Sequence, residues 1–214
     1  MSLYIMKLRA YKLLRNLTPV YFMQPLFNAC FYGLKSFFTL YIIHHLGLTE
    51  SEAISAYGMF MALCYGTTLA GGYLGDQGFG VKNSVILGGV LSLSGVFCFF
   101  FPSKDLCFMG LALFGVGSGL FKPNLMAAVG LTFEDPKDPQ KDKLYSHVYI
   151  LGNGGIFILT ILCGFAAKTY GWNCALAIIA GLIAGATGLV YKSMRFHPSY
   201  QRPAPSLSTM ETSN

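Results

Sequence analysis

Charged residues are scarce in this sequence, at 11% of its 214 residues. A soluble domain carries about 25% charged residues, which cover its water-facing surface. Here hydrophobic residues make up 54% and the mean hydropathy is +0.53, so the apolar excess must face lipid. The net charge of +6 does not indicate nucleic-acid binding, because the basic residues stand at the ends of apolar runs rather than on one polar face.

The sequence also lacks the residue patterns of common catalytic and metal sites. It contains no Ser/His/Asp set, no glycine-rich phosphate loop and no zinc-ligand spacing. All but one of the six cysteines lie inside apolar runs, where a thiol behaves as a small hydrophobic side chain. We therefore predict no enzyme, no disulfide framework, no metal and no cofactor.

Long apolar runs account for most of the chain. A helix needs about 20 mostly apolar residues to cross the hydrocarbon core of a membrane. Runs of about this length lie at 18–43, 53–75, 84–102, 106–131, 145–167 and 173–191. The sequence predicts an all-α membrane protein with six transmembrane helices over 18–191. The basic segment 1–17 precedes this bundle, and the Pro-, Ser- and Thr-rich tail 192–214 is predicted to be disordered. Thr49 and Glu52 have capping-box spacing at the start of the second run.

Lysine and arginine are distributed unevenly around these runs. The N-terminus, the loops after the second and fourth runs and the tail hold nearly all of them, whereas the opposite loops hold only Lys104 and Lys168. Positively charged loops stay in the cytoplasm. We therefore expect both termini to be cytoplasmic and the protein to lie in the plasma (inner) membrane.

Lys122 stands deep within the fourth run, in the segment GLFKPN. A lysine at the centre of a transmembrane helix costs about 2.5–3.5 kcal/mol on insertion scales. The adjacent Pro123 removes a backbone hydrogen bond and predicts a broken or kinked helix, which lipid tolerates only where the backbone is buried in protein or lines a cavity. We interpret Lys122 as a cavity residue; the alternative is a side chain that snorkels to the cytoplasmic interface.

The other polar residues inside the apolar runs indicate a functional site less strongly than Lys122 does. Lys35 lies two-thirds of the way along the first run, where it either faces a cavity or snorkels to the outer interface. Asn153 stands among glycines in the fifth run, which indicates either a close approach of another chain segment or a local unwinding of the helix. The alternative is that Asn153 makes an inter-helix hydrogen bond. Tyr32 and Tyr65 are mid-span aromatics that either pack or line a cavity. Close helix crossings are predicted at the pairs Gly71/Gly75, Gly115/Gly119 and Gly181/Gly185.

Four segments occur in a suggestive order: FYGLKSFFTLYI (31–42), GGYLGDQGFGVKNSV (71–85), GSGLFKPN (117–124) and YSHVYILGNGGIF (145–157). Together they resemble signatures of the proton-dependent oligopeptide transporter family of the major facilitator superfamily. The second segment resembles the loop motif of the superfamily, which would form part of the cytoplasmic gate, at Gly72, Asp76, Gly80 and Lys82. The resemblance runs from about residue 20 to residue 192 and implies a major-facilitator-type half bundle.

The resemblance also implies a function. Family members carry di- and tripeptides through a cavity between two six-helix halves, driven by a proton gradient. Position by position, Lys122, Tyr32 and Tyr65 would line this cavity, and Lys35 replaces an arginine of the family and would attract the peptide carboxylate. Asn153 would lie near the peptide backbone.

The sequence departs from the family pattern in the first helix. At the charged positions of the family's acidic ExxER motif, this sequence has Gln24, Phe27 and Asn28. The first helix therefore has no carboxylate that could take up a proton. The family's proton coupling through this motif is not expected in this chain. Gln77 replaces the arginine of the loop motif, which is expected to loosen the cytoplasmic gate.

The second half of the cavity is the remaining question for function. One hypothesis is that this chain is the N-terminal half of a di- and tripeptide carrier and that a separate chain supplies the second six-helix half. A second hypothesis is a dimer of two copies of this chain. The third, from a different class, is a truncated, transport-inactive membrane protein or scaffold.

Overall fold

The structure is a computed structural model that describes residues 2–77, 79–131 and 139–195, with side chains from residue 22 to 194 outside the two gaps and residues 139–140. The described chain is entirely helical apart from short connections. Its six helices are α1 (Ser2–Leu46), α2 (Glu50–Asp76), α3 (Val81–Cys98), α4 (Lys104–Gly130), α5 (Pro139–Tyr170) and α6 (Trp172–Arg195).

The six predicted spans are confirmed, because each helix contains a stretch long and apolar enough to cross a membrane. The helix bounds differ from the predicted runs in several places. The first helix begins at Ser2, so the basic segment is helical from there onward, and the stretch of α1 that is apolar enough to span a membrane begins at Phe22. At the other end, α6 continues to Arg195, and the rest of the predicted tail lies outside the described residues.

The third helix ends at Cys98, four residues before the predicted boundary. The hydroxyl of Tyr41 in α1 donates a 2.6 Å hydrogen bond to the carbonyl of Phe99, directly after the helix. The Phe99 ring is buried against Phe38 in α1. This long-range bond gives the Phe99 carbonyl the hydrogen-bond donor that the next turn of a continuing helix would have supplied. The apolar run alone does not indicate that this bond exists.

Short connections join the helices where glycine permits a sharp turn. Gly47, Gly80 and Gly171 have φ values of +64°, +81° and +90°, in the region that side chains with a Cβ rarely adopt. The predicted capping box is present at the start of α2: the Thr49 backbone N–H donates to the Glu52 carboxylate at 2.8 Å, and the Glu52 N–H donates to the Thr49 hydroxyl.

Replacing Thr49 with alanine is expected to lower stability by about 1 kcal/mol, because the Glu52 backbone N–H loses the hydroxyl that accepts its hydrogen bond and the Glu52 carboxylate loses the hydroxyl as a donor. Thermal unfolding of the purified protein in detergent measures the effect. Ser51→Ala is the matched control, since this neighbouring exposed hydroxyl lies outside the capping box. Equal unfolding temperatures for the two variants would show that the capping box contributes nothing.

The helices pack as two groups. One group is α2, α3 and α4, with α4 in the middle; the other is α1, α5 and α6. The groups meet where α3 packs on α6 and where α1 crosses α4. At that crossing Phe27 stacks on Phe121 with ring centroids 3.9 Å apart, and Phe31 lies parallel to Phe114 at 6.0 Å. Aromatic rings from α1 and α4 therefore form the centre of the bundle.

Glycines bring α4 close to its neighbours. Gly88 and Gly95 of α3 lie against the backbone of α4 so closely that a Cβ at either would stand about 2.6 Å from a carbonyl oxygen. The predicted close approach at Gly71 and Gly75 of α2 is also confirmed, against Gly119 and Asn124. The prediction for Gly181 and Gly185 of α6 is wrong within the described residues, where neither has a neighbour within 4 Å.

Candidate functional site

Two lysines from different helices approach a single aromatic ring. The Nζ of Lys35 in α1 lies 5.4 Å from the centre of the Tyr32 ring, and the Nζ of Lys122 in α4 lies 5.1 Å from the same centre. Both lysines are partly buried. The structure thus brings together three residues that the sequence predicted for the site and places them between α1 and α4.

Aromatic neighbours explain how the bundle tolerates these cations. Lys122 Nζ lies 3.9 Å from the centre of the Phe31 ring, and Lys35 Nζ lies 5.6 Å from that of Tyr57 in α2. An ammonium group held over a ring face gains about 0.5–2 kcal/mol. This gain offsets part of the cost of a membrane-embedded lysine. The involvement of Tyr57 was not predicted.

Tyr65 completes the α2 side of the site. Its side chain is 65% exposed and lies close enough to Lys35 for an electrostatic interaction. The next residue toward the N-terminus, Cys64, is buried. Four predicted residues and Tyr57 therefore form one cluster between α1, α2 and α4, which we call the lysine cluster: Tyr32, Lys35, Tyr57, Tyr65 and Lys122.

No described carboxylate neutralises the lysine cluster. The described acidic residues all stand in the first or last turn of a helix, and the others lie outside the described helices. The nearby polar groups on α1 are amides: Gln24 is only 5% exposed, and the side-chain oxygens of Gln24 and Asn28 are buried without a hydrogen-bond partner. The cluster therefore carries two positive charges that nothing in the described bundle balances.

The fourth helix is continuous through Pro123, so the predicted break is absent. Proline cannot donate to the carbonyl of Gly119, four residues earlier, and Gly71 of α2 packs directly on that carbonyl. Next to the proline, Asn124 is 2% exposed, and its Nδ2 donates to the carbonyls of Gly71 and Leu120 at 2.7 and 2.8 Å. Asn124 thus joins α2 to α4, a role that the sequence analysis missed.

Asn153 lies apart from the lysine cluster. Its Nδ2 donates to the carbonyl of Tyr149 in the same helix at 2.9 Å, so the predicted inter-helix bond is absent. The helix is not unwound there, but α1 approaches Gly152 and Gly155 at Pro25 and Asn28. The exposed side of Asn153 remains available to a ligand or to another helix.

The loop-motif residues lie around the turn between α2 and α3. Asp76 is the last residue of α2, and Lys82 stands in the first turn of α3. Gly80 directly precedes α3 and needs its positive φ, while Gly72 lies one turn earlier in α2 with no neighbour within 4 Å. The spacing of the motif thus places both charges beside one turn.

The sequence model of the Major Facilitator Superfamily matches residues 20–210. The chain belongs to this superfamily. With six apolar spanning helices, it is a multi-pass integral membrane protein of this superfamily.

Several curated relatives of this superfamily chain are named dipeptide and tripeptide permeases. It is 35% identical over 156 residues to dipeptide and tripeptide permease A of Proteus mirabilis, and 33% identical to that of Escherichia coli K12. The matches cover 72% of this chain but only 32% and 31% of the permeases. The matched segment therefore spans about a third of the length of each relative.

Solved structures confirm the superfamily fold. A peptide transporter POT in complex with sulfate superimposes with a TM-score of 0.81 at 24% identity, covering 92% of this chain and 42% of that one. An auto-inhibited POT family peptide transporter gives a TM-score of 0.83 at 23% identity, covering 90% and 39%. The major-facilitator-type half bundle predicted from the sequence is confirmed.

Proposed function

We propose that this chain is the N-terminal six-helix half of a carrier of di- and tripeptides, and that it acts as a transporter rather than as an enzyme. The observation that carries the proposal is the lysine cluster, in which two unneutralised ammonium groups flank the Tyr32 ring inside the membrane span. A peptide carboxylate is a suitable ligand, because a charge-assisted hydrogen bond to an ammonium group is about twice as strong as a neutral one.

The remaining site residues have supporting roles in this proposal. The hydroxyls of Tyr32 and Tyr65 supply neutral hydrogen-bond partners beside the cations, and the exposed amide of Asn153 binds the peptide backbone from the α5 side. Lys35 holds a carboxylate as a point charge, since a lysine cannot form the planar two-pronged contact of an arginine.

A second six-helix unit is part of the proposal. The exposed Tyr65 and Asn153 and the uncovered faces of α2 and α5 lie within the membrane span, where polar groups are costly unless protein or water covers them. A further segment, a separate chain or a second copy of this chain would supply that cover. With both termini in the cytoplasm, Asp76 and Lys82 form the cytoplasmic gate of the carrier.

Proton coupling by the first helix is not part of the proposal. Gln24, Phe27 and Asn28 occupy the positions of the acidic motif, and Phe27 stacks on Phe121 with no group that could take up a proton. A proton gradient drives this carrier only if titratable groups elsewhere provide the coupling.

The function is tested by uptake of a labelled dipeptide into uptake-deficient cells that express the chain, at several external pH values. We expect saturable uptake that depends on Lys122. Accumulation that rises as the external pH falls would show proton coupling by other groups. No uptake by a correctly inserted chain, with or without a complementary six-helix unit, would contradict the carrier and favour the transport-inactive alternative.

That alternative, a transport-inactive membrane protein or scaffold, has one observation in its favour. Stacked Phe27 and Phe121 fill the α1–α4 crossing, and Phe27 occupies a position where the family's acidic motif would supply a titratable group. Intact peptide uptake by this chain would exclude it.

A further inference from the structure

Two helix faces lie uncovered at opposite ends of the described bundle. Contacts between helices order four of them in a row as α2, α4, α1 and α5, so that α2 and α5 stand at its two ends. These two are also the least buried of the six described spans. The second six-helix unit that the proposed function needs would therefore attach at α2 and α5.

The exposed face of α2 is shallow in its middle and acidic at its ends. Residues three, four or seven apart lie on one side of a helix. On α2 the exposed residues at this spacing are Gly58, Ala62, Tyr65, Leu69 and Asp76. No atom lies within 4 Å of an ideal Cβ at Gly58. At the other end of the helix, Glu50 and Glu52 are exposed in the first turn.

The exposed face of α5 has the same spacing but the opposite character. Its exposed residues at this spacing are Lys143, Ile150, Gly154, Phe157, Ile161 and Lys168. The side chains of Phe157 and Ile161 are 69% and 55% exposed, so they project from the middle of the face. This face therefore carries large apolar side chains in its middle and an ammonium group at each end.

The charges of the two faces are complementary when the faces run antiparallel. The second and fifth of six consecutive spans cross a membrane in opposite directions, so α2 is antiparallel to α5 of another molecule inserted the same way. Glu52 and Asp76 are about 36 Å apart along α2, at about 1.5 Å per residue. Lys143 and Lys168 are about 38 Å apart along α5. When Asp76 meets Lys143, the other lysine therefore meets Glu52, and such charge pairs fix the register of an interface.

Residue sizes also match in this register. The opposed pairs are Gly58 with Ile161, Ala62 with Phe157, and Tyr65 with Gly154. Each pair joins a small residue of one face to a large residue of the other. Transmembrane helices associate through such small residues, because these let the neighbouring helix approach closely. The two faces therefore fit each other in shape as well as in charge.

We infer that the chain pairs with a second copy of itself, the α2 face of each copy packing on the α5 face of the other. The inference rests on the proposed function and names its second six-helix unit. Both complementary faces belong to this one chain, as a two-fold symmetric interface requires. The two contacts join the rows of four helices from both copies into a closed ring. They also bring Asn153, which lies apart from the lysine cluster of its own copy, beside Tyr65 of the other copy.

The inference is tested by energy transfer between donor- and acceptor-labelled copies of the full chain in liposomes, over a range of protein-to-lipid ratios. We expect the unmodified chain to self-associate. Gly58→Leu is expected to weaken this association at least about tenfold, because the new side chain meets open space within one bundle but Ile161 of the second copy. Combining it with Ile161→Ala removes the obstruction and is expected to restore the association to within about threefold.

The control variant is Gly181→Leu, since Gly181 of α6 is also exposed with no atom within 4 Å of an ideal Cβ, but lies on neither face. It should associate like the unmodified chain. A chain that stays monomeric at every ratio, or that associates equally well with Gly58→Leu, would overturn the inference. The carrier would then still stand if uptake appeared with a separate six-helix unit. Self-association that follows these variants without any peptide uptake would support the paired faces and count against the proposed function.

Discussion

Replacing Lys122 with alanine is expected to weaken peptide binding at least about 30-fold, equivalent to about 2 kcal/mol, and to abolish measurable uptake. The ammonium group lies 3.9 Å from the Phe31 ring centre and 5.1 Å from that of Tyr32, in a partly buried position that water screens poorly. Removing one partner of a desolvated charge pair leaves the substrate carboxylate without its counter-charge. Binding to purified protein and uptake into cells measure the two effects.

Membrane insertion of Lys122→Ala should be intact, because the change removes a charge that costs about 2.5–3.5 kcal/mol at a helix centre. Lys104→Ala is the matched control: it is the same substitution in the same helix, at an exposed end, and should leave binding unchanged. If Lys122→Ala binds and transports peptides like the unmodified protein, the assignment of the lysine cluster to the substrate site is wrong.

A methyl group at Gly71 is expected to destabilise the bundle by at least about 3 kcal/mol, at the upper end of the usual cost of overpacking. The new Cβ of Gly71→Ala would overlap the backbone carbonyl of Gly119 in α4. A backbone carbonyl cannot rotate away as a flexible side chain can, so the helices must separate. That separation would also break the Asn124 hydrogen bond to the Gly71 carbonyl. Thermal unfolding and the yield of monodisperse protein in detergent measure the loss.

Gly66→Ala is the control for this prediction. Gly66 lies in the same helix, five residues earlier, and is exposed with no neighbouring atom within 4 Å of its ideal Cβ position. Alanine is favoured over glycine in a helix by about 0.8–1.0 kcal/mol, so this variant should be as stable as the unmodified protein or more so. Comparable unfolding temperatures for Gly71→Ala and Gly66→Ala would refute the proposed α2–α4 contact.

Local patterns in the sequence predicted the structural features that depend only on residues close together in the chain. The six spans follow from apolar runs of sufficient length, and the cap at Thr49 follows from a spacing of three residues. The lysine cluster was predicted in part, because a charged side chain inside an apolar run must face a cavity or a polar partner, or reach the membrane interface. The patterns predicted Tyr32, Lys35, Tyr65 and Lys122 separately. They did not predict that both lysines approach the Tyr32 ring or that Tyr57 joins them.

Pairings between distant residues could not be predicted from such patterns. Nothing near Asn124 indicates that its amide reaches Gly71, 53 residues away, and nothing near Tyr41 indicates that its hydroxyl reaches the carbonyl of Phe99. Glycine spacing alone also cannot say which glycines meet a partner: Gly71 does, whereas Gly181 has none within 4 Å.

The stacked rings of Phe27 and Phe121 make the centre of the bundle indifferent to acidity. Two phenyl groups have no proton to gain or lose, so the contact between these two rings is the same in an acidic medium as in an alkaline one. A titratable pair at that place would strengthen or weaken with pH, whereas this pair does not. Any pH dependence of the assembled carrier must therefore originate in groups other than these two rings.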